Sequence, residues 1–264
     1  MQIGLLIESL DRLDDVANWG YDYAEITPNQ LGPDADDPAA EAEARARIQS
    51  AKVPVSTMCG FLPDPERLGL MVVGPHVDQQ RLRTYSTRTF DRMQRAGVEL
   101  MAFGSGTARS APDGFPMDQA YSQIRDFLLM CADLAEARDL KVVIEPQNRT
   151  DTNMLHTVPD AVRLAREIDR PCVQVMADFF HMCLNDEPMQ DLVDSAQYLI
   201  HGHMADPGRG RPVTSVDDHA AFFDALHRAG YDARVSQTGP LPIYRSNEEA
   251  AATLKSLARA GARA

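Results

Sequence analysis

Positive charge is scarce in this chain. Its 26 lysines and arginines stand against 39 aspartates and glutamates, a formal charge of −13 over 264 residues. So acidic a surface lacks the basic stripe that neutralises a phosphate backbone, so no nucleic-acid partner is expected. Long apolar runs are missing as well. None approaches the ~18 residues that cross a bilayer, and no basic stretch leads into an apolar one at the N-terminus, so no membrane partner or secretory leader is expected. The four cysteines, Cys59, Cys131, Cys172 and Cys183, form neither a CxxC pair nor a tight framework, and free thiols in a cytoplasmic protein are the expectation. Neither GxGxxG after the first strand nor GxxxxGK[ST] occurs, so no phosphate cradle is read from the chain.

What is present is a steady alternation of strand and helix. Apolar, β-branched segments at 1–8, 21–27, 54–59, 100–103, 141–145, 172–178, 198–204 and 233–237 read as strands. Helical patterns follow at 38–51, 77–96, 117–138, 158–168, 189–195, 216–229 and 247–260, and a further helix through Leu13, Val16 and Trp19 stops at Gly20. Long loops fall at 60–75 and 104–116. Eight strand–helix units with no dividing linker predict one α/β domain over 1–264, a single (β/α)8 barrel, close to the ~250 residues typical of that fold.

In such a barrel the chemistry sits at the C-terminal ends of the strands. Those ends are Glu8, Glu25, Cys59, Phe103, Glu145, Asp178, His203 and Gln237. Glu145 is the sharpest signal. It closes the run Lys141-Val-Val-Ile144, which reads as a strand buried on both faces, and Pro146 stops the strand at once. A carboxylate there needs a salt bridge, a metal or a substrate, since burying it alone costs several kcal/mol. Glu145, Asp178, His203 and Gln237 together would offer oxygen ligands and one imidazole. That set suits a divalent metal: Mn²⁺ first, with Mg²⁺, Co²⁺ or Zn²⁺ as alternatives. His201 and His203 share a strand face, which makes His201 a hydrogen-bonding partner one layer down. Glu25 reads either as a salt-bridge partner at the mouth or as a substrate-facing group.

The motifs of the second half, Ile144-Glu-Pro-x-Asn-Arg149, Asp178-x-x-His181, His203-x-Ala-Asp206 followed by Arg209, and Gly230-Tyr-Asp232, resemble the xylose-isomerase-like TIM-barrel superfamily, its ketose 3-epimerases above all. The resemblance implies that Glu145, Asp178 and His203 bind the metal, and that His181 and Arg209 hold substrate oxygens. It also places Asp151 where epimerases often carry Glu, near the substrate. Gln237 departs from the pattern, since the family usually ends strand eight in a glutamate that is both ligand and acid/base. An amide can ligate but cannot carry a proton near neutral pH. Three explanations stay open: chemistry needing one carboxylate base, Glu145; a second base among Glu25, Asp151 and His181; or a deliberate Glu→Gln change in the chain. Another departure is Arg209-Gly-Arg-Pro212, where the family tends to have Pro-Gly.

The expected function is therefore a metal-dependent isomerase or epimerase acting on a small sugar or cyclitol-like ketone, in which Glu145 is the base and Gln237 positions. Homo-oligomers are usual in the look-alikes. The alternatives are a lyase on the same scaffold, either a dehydratase or a C-glycoside-cleaving subunit, and a catalytically silent sugar-binding barrel.

Overall fold

The computed structural model describes residues 1–31, 37–63, 65–206 and 214–260. All eight expected strands form: β1 (Gln2–Leu6), β2 (Tyr23–Ile26), β3 (Val55–Met58), β4 (Leu100–Phe103), β5 (Lys141–Ile144), β6 (Val173–Asp178), β7 (Leu199–Met204) and β8 (Arg234–Gln237). Neighbours in sequence pair in parallel, and β8 closes on β1, so the sheet is a closed barrel without edges. Around it run α1 (Leu13–Asn18), α2 (Pro38–Gln49), α3 (Pro65–Leu68), α4 (Gln79–Ala96), α5 (Gly106–Arg109), α6 (Met117–Glu136), α7 (Val158–Ile168), α8 (Phe179–Leu184), α9 (Gln190–Asp194), α10 (Val216–Arg228) and α11 (Asn247–Ala260). The short helices α3 and α5 fall within the stretches expected to be long loops. The helix α8, at the end of β6, was not expected.

Local chemistry sets these boundaries. Thr157 and Asp160 form a reciprocal capping box at the start of α7, and Ser215 and Asp218 do the same for α10, each satisfying two N–H groups that a helix start leaves unpaired. Gly97 ends α4 in the left-handed conformation that costs glycine least. Val142, Val143 and Ile144 of β5 are wholly buried, as parallel strands covered on both faces are.

The barrel interior is divided. Towards β3–β6 it holds one apolar cluster of Cys59, Leu100, Ala102, Val143 and Met176, against which Leu6 and Ile200 pack. Towards β7, β8 and β2 it is polar and buried, with His201, His203, Ser236, Tyr23 and Glu25. Tyr23 fits there because β1 carries glycine opposite it: a Cβ on Gly4 would lie 2.3 Å from the phenol ring. Register then aligns the upper layer, with Asp178 opposite His203 and His203 opposite Ser236.

Candidate metal centre and substrate site

Glu145 follows β5 directly, its N–H bonded to Phe103 O at 3.1 Å. Room for its carboxylate comes from the end of β4, where a Cβ on Gly104 would stand 1.9 Å from Glu145 Oε2 and 2.5 Å from Gln147 Nε2. Asp178 closes β6 and caps α8. Its Oδ1 accepts the N–H of Phe180 at 2.8 Å and of His181 at 3.4 Å. The helix turn thus consumes one carboxylate oxygen and leaves Oδ2 facing the barrel, which explains the Asp-x-x-His spacing.

His203 joins these groups. Its Nδ1 lies 3.1 Å from Glu145 Oε1 and 3.6 Å from Asp178 Oδ2, while Nε2 lies 3.1 Å from Glu25 Oε1. The second oxygen of Glu25 is 3.3 Å from His201 Nε2. Glu25 and His201 are completely buried. Glu25 is therefore sealed beneath the mouth, braced by two imidazoles, and does not reach a substrate. It fixes the ring of His203 and turns Nδ1 upward, as carboxylates behind metal-ligating histidines do. Burial alone would raise the pKa of Glu25, but the charges of His203 and His201 and their hydrogen bonds hold it well below the usual range. Burial opposes the imidazolium of His203 too, yet the charge of Glu25 and the hydrogen bonds that the ring donates to the carboxylates of Asp178, Glu145 and Glu25 raise its pKa well above the ordinary value. His201, by contrast, is kept low by burial.

His181 stands on the first turn of α8. The main-chain N–H of Asn148 approaches its Nδ1 at 3.2 Å and the Asn148 amide nitrogen at 2.9 Å. A backbone N–H can only donate, so Nδ1 is the acceptor and the ring proton sits on Nε2, 3.9 Å from Asp178 Oδ2. Asp151 is more remote than its sequence position suggests. Its Oδ2 accepts from Asn148 at 2.7 Å, and its side chain is 45% exposed. It steadies the residue that steadies His181. Arg209 lies outside the described residues.

Gln237 is where the expectation and the geometry part. Side chains alternate along a strand. Ser236 points inward to the Tyr23 hydroxyl at 2.7 Å, so Gln237 points outward. Its Oε1 accepts from the Tyr21 hydroxyl at 2.6 Å and its Nε2 donates to Gly239 O at 3.1 Å. The amide is thus spent on the outer face rather than aimed at Glu145, Asp178 and His203. The inward positions of this strand are Ser236 and, one step beyond its end, Thr238, whose N–H still donates to Met204 O at 2.9 Å.

Two further residues escaped the sequence reading. Gly104 makes space, and its only signal was a Phe-Gly-Ser-Gly run closing a strand. Arg109 on α5 is wholly buried, donates to Phe103 O at 3.3 Å, and leaves Nε and Nη2 without a partner. Burial lowers its pKa to about 10 against the opposing pull of Glu145. Nothing in the local sequence distinguishes it from a solvated arginine.

Whether this constellation suits a metal follows from its donors. Two carboxylate oxygens and one imidazole nitrogen crowd a single point, and one oxygen from each of Glu145 and Asp178 with a nitrogen of His181 lies within 4.8 Å of the others. Bare carboxylates so close repel, and a divalent cation relieves that. Thiolate is missing, since burial and the charge of Glu25 push the nearby Cys59 thiol well up. The group fits a hard or borderline divalent ion with imidazole and oxygen ligands.

Fold and site define a (β/α)8 barrel with metal-capable strand ends in its second half. The sequence profile of the xylose isomerase-like TIM barrel family matches residues 13–259, and the chain belongs to that family. It is 27% identical over 255 residues to the 3-dehydro-D-guloside 4-epimerase of Escherichia coli (strain K12), covering 90% of this chain and 92% of that protein. A ketose 3-epimerase of Arthrobacter globiformis is 34% identical over 105 residues, 39% of this chain and 36% of that protein. Among solved structures, the apo 3-keto-D-glucoside 4-epimerase from E. coli superposes with a TM-score of 0.77 at 24% identity, covering 97% of this chain and 98% of that one.

Proposed function

We propose that this chain is a divalent-metal-dependent epimerase of a small keto sugar, with Mn²⁺ the favoured ion. The observation that carries the reading is the approach of Glu145 Oε1 and Asp178 Oδ2 to one nitrogen of His203, beside the Nε2–H of His181. The names of the relatives support the reaction class. Glu145, Asp178 and His203 Nδ1 would hold the ion; bound there, it would polarise the substrate carbonyl and acidify the neighbouring C–H.

The chain's own groups divide the remaining work. Glu145, with an oxygen free of the helix-capping duty that Asp178 performs, accepts the proton from the carbon beside the carbonyl. His181 donates a hydrogen bond from Nε2 to a substrate oxygen, and the proton on the opposite face of the carbon is supplied by solvent water. Glu25 and His201 do not exchange protons with substrate; they hold His203. The stretches 65–75 and 104–116, which carry α3 and α5, are suited to screening the site from water.

The inward hydroxyls of β8 favour a second reading, a one-base isomerisation in which Glu145 shuttles a proton on a single face. Reaction in D₂O followed by NMR separates the two. Epimerisation gives a product inverted at one carbon with solvent deuterium on it, whereas isomerisation gives an aldose–ketose pair. Under either reading turnover is abolished by chelation, and Glu145→Gln abolishes it as well. Full activity after exhaustive EDTA treatment refutes the metal, and undiminished Glu145→Gln refutes the base.

A further inference from the structure

Arg109 carries a buried positive charge that the chemistry assigned above does not use. Its side chain is wholly buried and makes no ion pair among the described residues. Burying an unpaired cation is strongly unfavourable, and Arg92, also buried, avoids it by facing Glu41 at 3.6 Å. Phe103 fixes the Arg109 guanidinium: its ring centroid lies 5.7 Å away, and its main-chain oxygen accepts from Nη1 at 3.3 Å. That oxygen also accepts the N–H of Glu145, so the cation and a metal-centre residue meet on one acceptor. Alternation along β4 turns Ala102 into the barrel and Phe103 out of it, towards Phe61 and Phe127. Arg109 therefore stands behind the barrel wall from Glu145, where it acts on an ion through its charge and not by contact. The helix α5 is itself tied down, since Ala108 O accepts the N–H groups of Val72 and Val73 at 2.8 and 3.3 Å.

We propose that Arg109 sets the charge of the metal centre, so that a divalent ion, and not a trivalent one, makes the buried group neutral. The inference rests on the metal centre proposed above and adds the ionic charge that the centre selects. Three buried carboxylates, those of Glu25, Glu145 and Asp178, surround His203. With Nδ1 lent to a cation, the His203 ring is neutral. Burial keeps His201 neutral, and His181, which accepts an N–H at Nδ1, is neutral too. A divalent ion then leaves one negative charge, which the guanidinium of Arg109 offsets. A trivalent ion in the same place would leave an excess positive charge inside the barrel. Phe103, Phe61 and Phe127 pack on this side of the wall, so the field of Arg109 crosses an apolar layer with little screening.

Titration calorimetry with Mn²⁺ and with La³⁺, on the parent and on Arg109 variants, tests the charge without any substrate. Removing a cation strengthens the binding of any ion at the centre, and the Coulomb energy scales with that ion's charge. Arg109→Met should therefore bind Mn²⁺ about tenfold and La³⁺ about thirtyfold more tightly than the parent, a logarithmic gain half as large again for the trivalent ion. Arg109→Gln should repeat both shifts with a different shape. Arg109→Lys keeps the charge and should stay within about twofold of the parent. Unchanged or weaker Mn²⁺ binding in the two neutral variants, equal gains for the two ions, or an Arg109→Lys protein that behaves as Arg109→Met does overturns the proposal. So does failure of both neutral variants to fold, which would make Arg109 a structural residue. A parent that binds neither ion removes the metal centre itself, whereas binding by the parent with unshifted variants removes only the role of Arg109.

Discussion

The Tyr21 hydroxyl donates to Gln237 Oε1 at 2.6 Å, joining the end of β8 to the segment that leads into β2 on the outside of the barrel. This contact changes the meaning of the glutamine. A glutamate at the end of strand eight would serve a metal only on an inward position, and Gln237 is on the other face. Putting a carboxylate there does not rebuild a fourth ligand. The Gln237→Glu variant should bind divalent metal as the parent does and lose stability by about 1–3 kcal/mol, because it trades the donor to Gly239 O for an acceptor facing that carbonyl. Metal titration by calorimetry and denaturant unfolding check the two halves. A gain in metal affinity would show that residue 237 reaches the centre.

Gly104 tests the shape of the site rather than its charges. Alanine there would place a methyl 1.9 Å from Glu145 Oε2, far inside contact distance, so the carboxylate has to swing away from His203. Gly104→Ala should weaken metal binding and lower kcat at least ~100-fold, since an error of about 1 Å in a reacting group costs that much. Unfolding should remain cooperative, since the change strikes a loop at the mouth. Normal metal affinity in this variant would mean that Glu145 is not a ligand.

How far the sequence revealed this site depends on which interaction defined each residue. Glu145 and Asp178 could be read because a carboxylate ending a buried strand needs a partner, and His203 because alternation along β7 places it above His201. The spacing of Asp178 and His181 was visible as a motif, but its cause, a helix turn capped by Asp178, was not, since α8 is too short to show periodicity. Gln237 was misjudged through parity: the strand end was located within a residue, and a shift of one residue exchanges the barrel interior for the helix layer. Glu25 was visible as a strand-end acid, whereas its burial depends on Tyr23, Gly4 and His201 from other strands. Gly104 and Arg109 were missed because their roles are spatial, and no local pattern encodes distance to Glu145.

His181 depends on Asn148 for the position of its proton. Asn148 Nδ2 donates both to His181 Nδ1 and to Asp151 Oδ2, at 2.9 and 2.7 Å. Removing the amide in Asn148→Ala leaves only the main-chain N–H to orient the ring. We expect kcat to fall roughly 10- to 100-fold, the usual cost of losing an orienting partner, with metal affinity little changed because His203 and Asp178 are held independently. Asn148→Asp should fall further, since it sets an acceptor against Nδ1 and draws the ring proton to the wrong nitrogen. Equal metal loss in both variants would place His181 among the ligands instead.

The pH dependence of stability should centre on Glu187, away from the metal centre. This buried carboxyl sits between α8 and α9 and accepts the first N–H of α7, Val158 N, at 2.7 Å. Burial, reinforced by Asp191 and Asp160 against the lowering effect of the Val158 hydrogen bond, raises its pKa from 4.5 to about 8. Between those values the folded chain holds a proton that the unfolded chain releases. Its effect on stability is therefore neutral below about pH 4.5 and increasingly unfavourable as pH rises, reaching its full extent above about pH 8. The cost is on the order of a few kcal/mol. Glu187→Gln keeps an oxygen for Val158 and removes the titration, so it should unfold at higher denaturant than the parent at pH 8.5 and at nearly the same concentration at pH 5. Denaturant curves at the two pH values decide it: a parallel loss of stability from pH 5 to 8.5 in both proteins would assign the effect to another group.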